Sequence, residues 1–319
     1  MLTCLCGDAI GNSGVPGCQT LLGVVHNKWM TPTFDSEGNQ NYIDLVALQA
    51  AKDSGLVALN QFFLDMTNNP DPSKRWYPTL PLKDVESPRE DPNVQTFKDQ
   101  STAYISQGVK NMKGFMPKAS YTVLRKLSAW GCSDLSEITI DRGGNAAGRM
   151  AQGDTKLYPR RITNLWMRGV DATADSNVQM VELNYSWAQT ESDADQAILT
   201  AGDIEGVDLT SFKGLLDVNL TVSNITTTGF TAKMEFCYGS ALKKLPFLGA
   251  SQADFETPNG LLNNVTTSTV IPITGFVDNE DGTYDFSYAA QAASDVISLK
   301  GGKEGFDFSS FEKVEILTP

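Results

Sequence analysis

Histidine is almost missing from this sequence: His26 is the single one in 319 residues. That scarcity removes most catalytic constellations at once, because one imidazole is all there is to serve as general base or orienting partner. No Ser or Cys nucleophile motif lies near His26, and no Gly-x-Ser-x-Gly elbow occurs. Positive charge is also short. With 25 Lys+Arg against 38 Asp+Glu the net charge is −13, which argues against a nucleic-acid-binding surface, since phosphate binding needs a basic stripe. No apolar run approaches the roughly 20 residues of a membrane span. Met1–Asp8 lacks the basic and apolar regions of a signal peptide, and Leu2-Thr3-Cys4 matches a lipoprotein box without the hydrophobic segment before it. The expectation is synthesis in the cytoplasm without membrane insertion.

Cysteine is scarce as well. Cys4, Cys6, Cys18, Cys132 and Cys237 are odd in number and scattered, which argues against a disulfide framework and for reduced thiols. Cys4, Cys6, Cys18 and His26 offer zinc-type ligands, but the Cys-x-Cys spacing is tighter than a usual knuckle and no second knuckle exists. Free, buried cysteines are therefore expected, with no metal and no cofactor. Gly143-Gly144-Asn145-Ala146-Ala147-Gly148-Arg149 lacks the Gly-Lys-Ser/Thr of a P-loop and the spacing of a dinucleotide fingerprint, so it reads as a hairpin loop. Asp193 and Asp195 sit in an acidic stretch where solvated charge is the default. Asp278, Glu280 and Asp281 do not form an EF-hand register, because Gly282 falls where an oxygen ligand belongs. An enzyme is not expected.

What remains is a β-rich pattern. Residues 94 to 116 alternate: Val94, Thr96 and, past a Lys98–Thr102 turn, Ala103, Ile105, Val109 and Met112 lie among polar residues as in half-buried strands. From Ala119 to Trp130 the period changes, placing Tyr121, Leu124, Leu127 and Ala129 or Trp130 on one helical face. Leu135–Arg142 alternates again, and Gly143-Gly144-Asn145 supplies positive-φ turn residues. Upstream, residues 19–30 read as a strand ended by Pro32, and Ile43–Lys52 as a short helix. Leu56–Met66 fits neither period. The prolines from Pro70 to Pro92 mark a long loop that either reaches a neighbouring ring or subunit or is a solvent-facing flexible loop. Residues 160–169 and 178–188 read as strands, the second with bulky groups on both faces and hence buried on both, in a sandwich or by a neighbouring subunit. The acidic stretch 191–208 suggests a domain boundary near Ile204, giving domains 1–204 and 205–319.

The second domain reads as an all-β module. Strands are expected at 216–222, 230–238, 267–277, 284–288, 296–299 and 314–317, with a tight turn at Asn279-Glu280-Asp281-Gly282-Thr283. The whole is expected to be mainly β (α+β): a β-sandwich or half-barrel with one packed helix, followed by a β-sandwich.

The run Phe97-Lys98-Asp99-Gln100-Ser101-Thr102-Ala103-Tyr104-Ile105 to Gly108-Val109, then a helix, then Ile138-Thr139-Ile140-Asp141, resembles the major tail (tail tube) proteins of tailed bacteriophages. The opening Cys4-Leu5-Cys6 through Gly11-Asn12-Ser13-Gly14-Val15-Pro16-Gly17-Cys18 is similar to virion proteins of phages infecting Bacteroidetes. The C-terminal module looks similar to the immunoglobulin-like appendages of phage tail and capsid proteins. The resemblance covers about residues 1–200 and implies a tail-tube-like ring-forming domain. It implies a structural protein of the virion tail, in hexameric rings stacked into a tube that conducts double-stranded DNA without specific binding. Its partners would be its own copies and possibly sheath, tape-measure and other tail proteins.

On that reading Phe97, Lys98, Tyr104, Ile105, Val109, Lys110, Met112 and Lys113 are the candidates for a subunit interface or lumen. An acidic lumen would let DNA slide, so Lys98, Lys110 and Lys113 are expected to face neighbouring subunits and pair with carboxylates of the 84–91 loop. The alternative is a surface adhesin or capsid decoration protein that binds host glycan through a platform of Tyr238, Phe247, Tyr284 and Tyr288.

Overall fold

Seven consecutive residues, Leu135–Asp141, are all buried, and the N-terminal unit is built around them. The computed structural model describes residues 21–151, 153–170, 179–239, 242–257, 260–309 and 311–315. The chain is mainly β and divides into two units, one ending at Gly214 and one starting at Leu215.

The first unit begins with β1 (Val25–Pro32), β2 (Ile43–Asp44), α1 (Leu45–Asp53) and α2 (Leu56–Thr67). Short strands β3 (Tyr77–Pro78) and β4 (Lys83–Glu86) interrupt the proline-rich stretch that the sequence suggests is a continuous loop. A hairpin of β5 (Asn93–Thr96) and β6 (Thr102–Ser106) precedes β7 (Asn111–Pro117), α3 (Tyr121–Ser128) and a 3-10 turn, Ala129–Cys132. Then come β8 (Leu135–Asp141), β9 (Ala146–Arg149), β10 (Lys156–Leu157), β11 (Arg160–Val170), β12 (Met180–Trp187) and β13 (Gln196–Leu199).

Nine of these strands form one sheet, ordered β13-β9-β8-β11-β12-β7-β4, with β1 on β8 and β3 on β1. The pivot is β8. It pairs with β1 along its length, while β11 pairs at Ser136 and Glu137 and β9 at Thr139 and Ile140. A strand with three antiparallel partners has no solvent edge, and its alternation is not one of core against water. Ile138 and Ile140 join Trp29 in one apolar cluster, with Leu48 of α1 and Leu59 and Phe63 of α2. The opposite face carries Glu137 and Thr139 beside a second cluster built from Met30, Met112, Met116, Leu183, Tyr185 and Trp187.

The unit has three α-helices: α3 is the packed helix expected, α1 falls in the Ile43–Lys52 segment, and α2 lies where neither period fits. Leu56–Thr67 is helical: Gly55 at φ 105° starts it and Leu59, Phe63 and Thr67 are buried four residues apart. In α3 Ser120 caps Val123 N–H, but the packed face is Val123, Leu124 and Leu127, continued by Trp130, while Tyr121 points outward. The first unit also extends past the expected boundary. Ile204, Val207, Leu209 and Phe212 enter its core, where Phe212 meets Trp29 and Phe63 at ring separations of 5.5 and 6.0 Å.

The second unit is a β-sandwich. One sheet holds β14 (Leu216–Thr226), β15 (Gly229–Gly239), β16 (Lys244–Pro246), β19 (Ile273–Asp278), β20 (Thr283–Tyr288) and β22 (Phe306–Phe308). The other holds β17 (Leu261–Asn264), β18 (Thr269–Val270), β21 (Val296–Lys300) and β23 (Phe311–Glu315). Side chains from both close over Phe255, whose ring stands edge-on to Phe286 at 5.1 Å. The expected 267–277 strand is two strands in different sheets, because Pro272 cannot donate to a ladder. Strands β16, β17 and β22 were not expected, and β22 pairs parallel with β14.

Since Phe63 is fully buried, Phe63→Ala is expected to cost about 3–5 kcal/mol. The urea midpoint of the whole chain, followed by circular dichroism, measures it.

Candidate functional site: an exposed hairpin and a buried ionic cluster

Among the described residues the hairpin β5–β6 pairs with no other strand. Its turn is locally stable: Phe97 N–H donates to Ser101 O at 2.8 Å, and Asp99 accepts from Ser101 N–H and Oγ, which pulls the Asp99 carboxyl below its ordinary value. The side chains, though, are uncovered. Val94 is 52%, Phe97 47%, Tyr104 65% and Ile105 63% exposed. The expectation of half-buried strands thus fails for 94–106 and holds only for β7, where Met112, Gly114 and Met116 are buried in alternation.

The base of the hairpin is anchored. Glu90 N–H donates to Val109 O, Asn111 N–H to Pro88 O, and Arg89 Nη1 to Gly108 O at 3.2 Å. Gly108 is needed there, because a Cβ would lie 1.8 Å from Glu90 O.

The candidate residues separate into two places. Phe97, Lys98, Tyr104 and Ile105 lie on the exposed hairpin and its turn, Val109 and Lys110 are half-buried at its base, and Met112 is core. Two of the three lysines do not need a neighbouring subunit. Lys113 pairs with buried Glu182 at 3.7 Å, and Arg168 engages the same carboxylate from the other side. Burial alone would raise the Glu182 pKa, but hydrogen bonds from Arg168 and Asn184 and the two cations outweigh it and hold it low. Lys110 lies 3.7 Å from Asp193 and over the Trp187 ring. The carboxylates that satisfy them come from β12 and the 191–195 loop rather than from residues 84–91.

Sequence reasoning missed the cluster behind Lys110. Lys28 and Glu137, both fully buried, form an ion pair at 3.3 Å. Trp187 Nε1 donates to Glu137 at 2.8 Å, and the Thr139 hydroxyl joins both charged groups. Burial pulls the Lys28 ammonium down to about 8, against the opposing attraction of Glu137. Burial likewise holds the Tyr185 hydroxyl well above its ordinary value. Arg160, opposite Glu137 in the β8–β11 pairing, lies over the Trp187 ring.

The remaining site expectations resolve simply. Phe247, Tyr284 and Tyr288 are core residues, so the proposed glycan platform is not on the surface. Asp278 and Asp281 accept from Glu280 N–H and Thr283 N–H within their own turn. Gly143–Asn145 forms the β8–β9 turn, with positive φ at Gly144 alone of the three. Cys132 is exposed rather than buried, and Cys237 is half-buried; neither forms a disulfide. Cys4, Cys6 and Cys18 lie outside the described residues. No helix among the described residues is long and apolar enough to cross a membrane. Comparison with family models, with curated proteins and with solved structures gives no match.

Two outcomes are expected. Gly108→Ala must displace backbone and is expected to cost about 1–3 kcal/mol, measured by urea unfolding. For Lys28 the unfolded chain holds the proton up to about 10.5 and the folded chain releases it near 8. The resulting penalty, roughly 3 kcal/mol, is present in full below pH 8 and is relieved as pH rises towards 10.5. Stability of the wild type should therefore rise over that window relative to Lys28→Met. At pH 7 the variant should itself be weaker by about 3–5 kcal/mol, because Glu137 loses its buried partner.

Proposed function

We propose that this chain is a structural virion protein that assembles with its own copies into the stacked hexameric rings of a bacteriophage tail tube, the conduit for DNA ejection. The observation that carries this reading is the hairpin 93–106, a two-stranded ribbon with Val94, Phe97, Tyr104 and Ile105 uncovered. An isolated ribbon of two strands is marginal in water, and exposed apolar strands invite pairing with another chain. Covering each half-exposed side chain contributes on the order of 1 kcal/mol, multiplied by every protomer in a ring. Identical subunits joined head to tail close such an interface on itself.

Two further observations fit. Lys110 and Lys113 each lie against a carboxylate of their own chain, which agrees with a DNA conduit that does not present them as free cations. A structural protein also needs no active-site constellation, and the single histidine is consistent with that. On this reading the C-terminal sandwich is an immunoglobulin-like appendage, and other tail proteins are the remaining partners.

The test is the assembly state of the purified chain, by light scattering and negative-stain microscopy. Rings or tubes are expected for the wild type. The variant Val94→Thr/Phe97→Ser/Tyr104→Ser/Ile105→Thr is expected to stay monomeric with an unchanged thermal midpoint. A wild-type chain that remains monomeric at high concentration after prolonged incubation would overturn the reading.

A further inference from the structure

Arg160 is only 6% exposed, yet its Nε and Nη2 have no hydrogen-bond partner. An unpaired buried cation is costly, and in folded chains such a group is normally paired or hydrogen-bonded. Arg160 lines a cleft together with Arg89, Lys110, Trp187, Glu191 and Asp193.

The carboxylates around this cleft already have partners. Asp193 is held by Arg89 at 2.5 Å and lies 3.7 Å from Lys110. Glu191 accepts from Arg161 N–H at 3.1 Å and lies 3.6 Å from Arg149. Glu137, beneath the cleft, is taken by Lys28, Thr139 and Trp187. The cleft itself is lined by three cationic side chains, Arg89, Lys110 and Arg160, against two carboxylates, Glu191 and Asp193. The excess is positive in a chain whose net charge is −13.

We propose that the cleft at Arg160 is a binding site for one small monovalent inorganic anion of the size of chloride. The ligand class follows from charge and room. Arg160 supplies two orphan N–H donors, and Lys110 adds a cationic rim over the same Trp187 face. The cleft is partly open, and its inner space of about 10 Å³ admits one small particle but not a phosphate ester or a nucleotide. A bound anion would supply the acceptor that Arg160 lacks and neutralise part of the surplus charge. It would thereby brace the β11–β12 region next to the hairpin base, where Gln107 Nε2 donates to Glu191 O at 2.7 Å.

The test compares the full chain in sodium chloride and in sodium gluconate at equal ionic strength, so that general screening is the same. The wild-type thermal midpoint is expected to be higher in chloride by about 2–5 °C. Arg160→Met should abolish that difference, and Lys110→Gln should raise the chloride concentration needed by roughly tenfold, the loss of about 1.4 kcal/mol. A measurement independent of any variant is line broadening of the chloride-35 resonance by the wild-type chain, reversed by competing bromide. Equal midpoints in the two salts together with no saturable broadening would overturn the site, leaving Arg160 solvated by water alone. Neither readout depends on ring formation, so failure here and failure of the assembly reading are distinguishable.

Discussion

The N-terminal unit depends on the burial of Glu137. A carboxylate removed from water at the centre of a sheet must be paired and hydrogen-bonded, and here it is reached by Lys28 from β1, Thr139 from its own strand and Trp187 from β12. Those contacts are compatible only with the observed register, in which Lys28 sits opposite Thr139 and Met30 opposite Glu137. A one-residue slip would turn Glu137 toward the apolar cluster of Trp29, Ile138 and Phe63. The ion pair adds little net stability in such an environment. Its larger consequence is that it selects one strand pairing among several.

The same logic extends outward along the sheet. Glu182 is buried on β12, inside the sheet, and draws in Lys113 from β7 and Arg168 from β11, a cross-strand ladder that fixes three strands together. Charge is therefore used inside this unit, while apolar surface is left outside it on the hairpin. That inversion is what connects the structure with the proposed assembly: four of the exposed apolar side chains, Val94, Phe97, Tyr104 and Ile105, share one hairpin. Anchoring through Gly108 and Arg89 keeps the ribbon in place without packing its faces.

The second unit reaches stability by a simpler route. Its core is aromatic on one side, with Phe230, Phe286 and Phe308 from the larger sheet and Phe247 and Phe255 from segments between strands, and the smaller sheet adds Leu262, Ile297 and Leu299. Tyr284 spends its hydroxyl on Phe247 O at 2.8 Å, so a residue type that often marks a sugar platform serves here as a core residue with a satisfied polar tip.

Local chemistry was readable from the sequence alone: the β-rich composition, the α3 helix, the Gly144 turn, the Asn279–Thr283 hairpin, and the bulky faces of β12. These depend on neighbours a few residues apart, which alternation and turn residues report directly. The partners of Glu137, Lys110 and Arg160 were not readable, because they come from strands distant in sequence and alternation cannot tell a solvent face from a buried ionic one. For the same reason the hairpin looked half-buried: Val94 and Ile105 alternate as core residues do, and only the tertiary arrangement leaves them without a covering layer. Phe212 moved the unit boundary in the same way, since an acidic stretch marks a surface and says nothing about the apolar residue that returns beneath it. The sequence by itself determined the mainly β character and the tight turns, because those are set by near neighbours; the tertiary structure decided the α2 helix, the short strands β3, β4, β16, β17 and β22, and which faces meet water, because those depend on what distant segments bring to them.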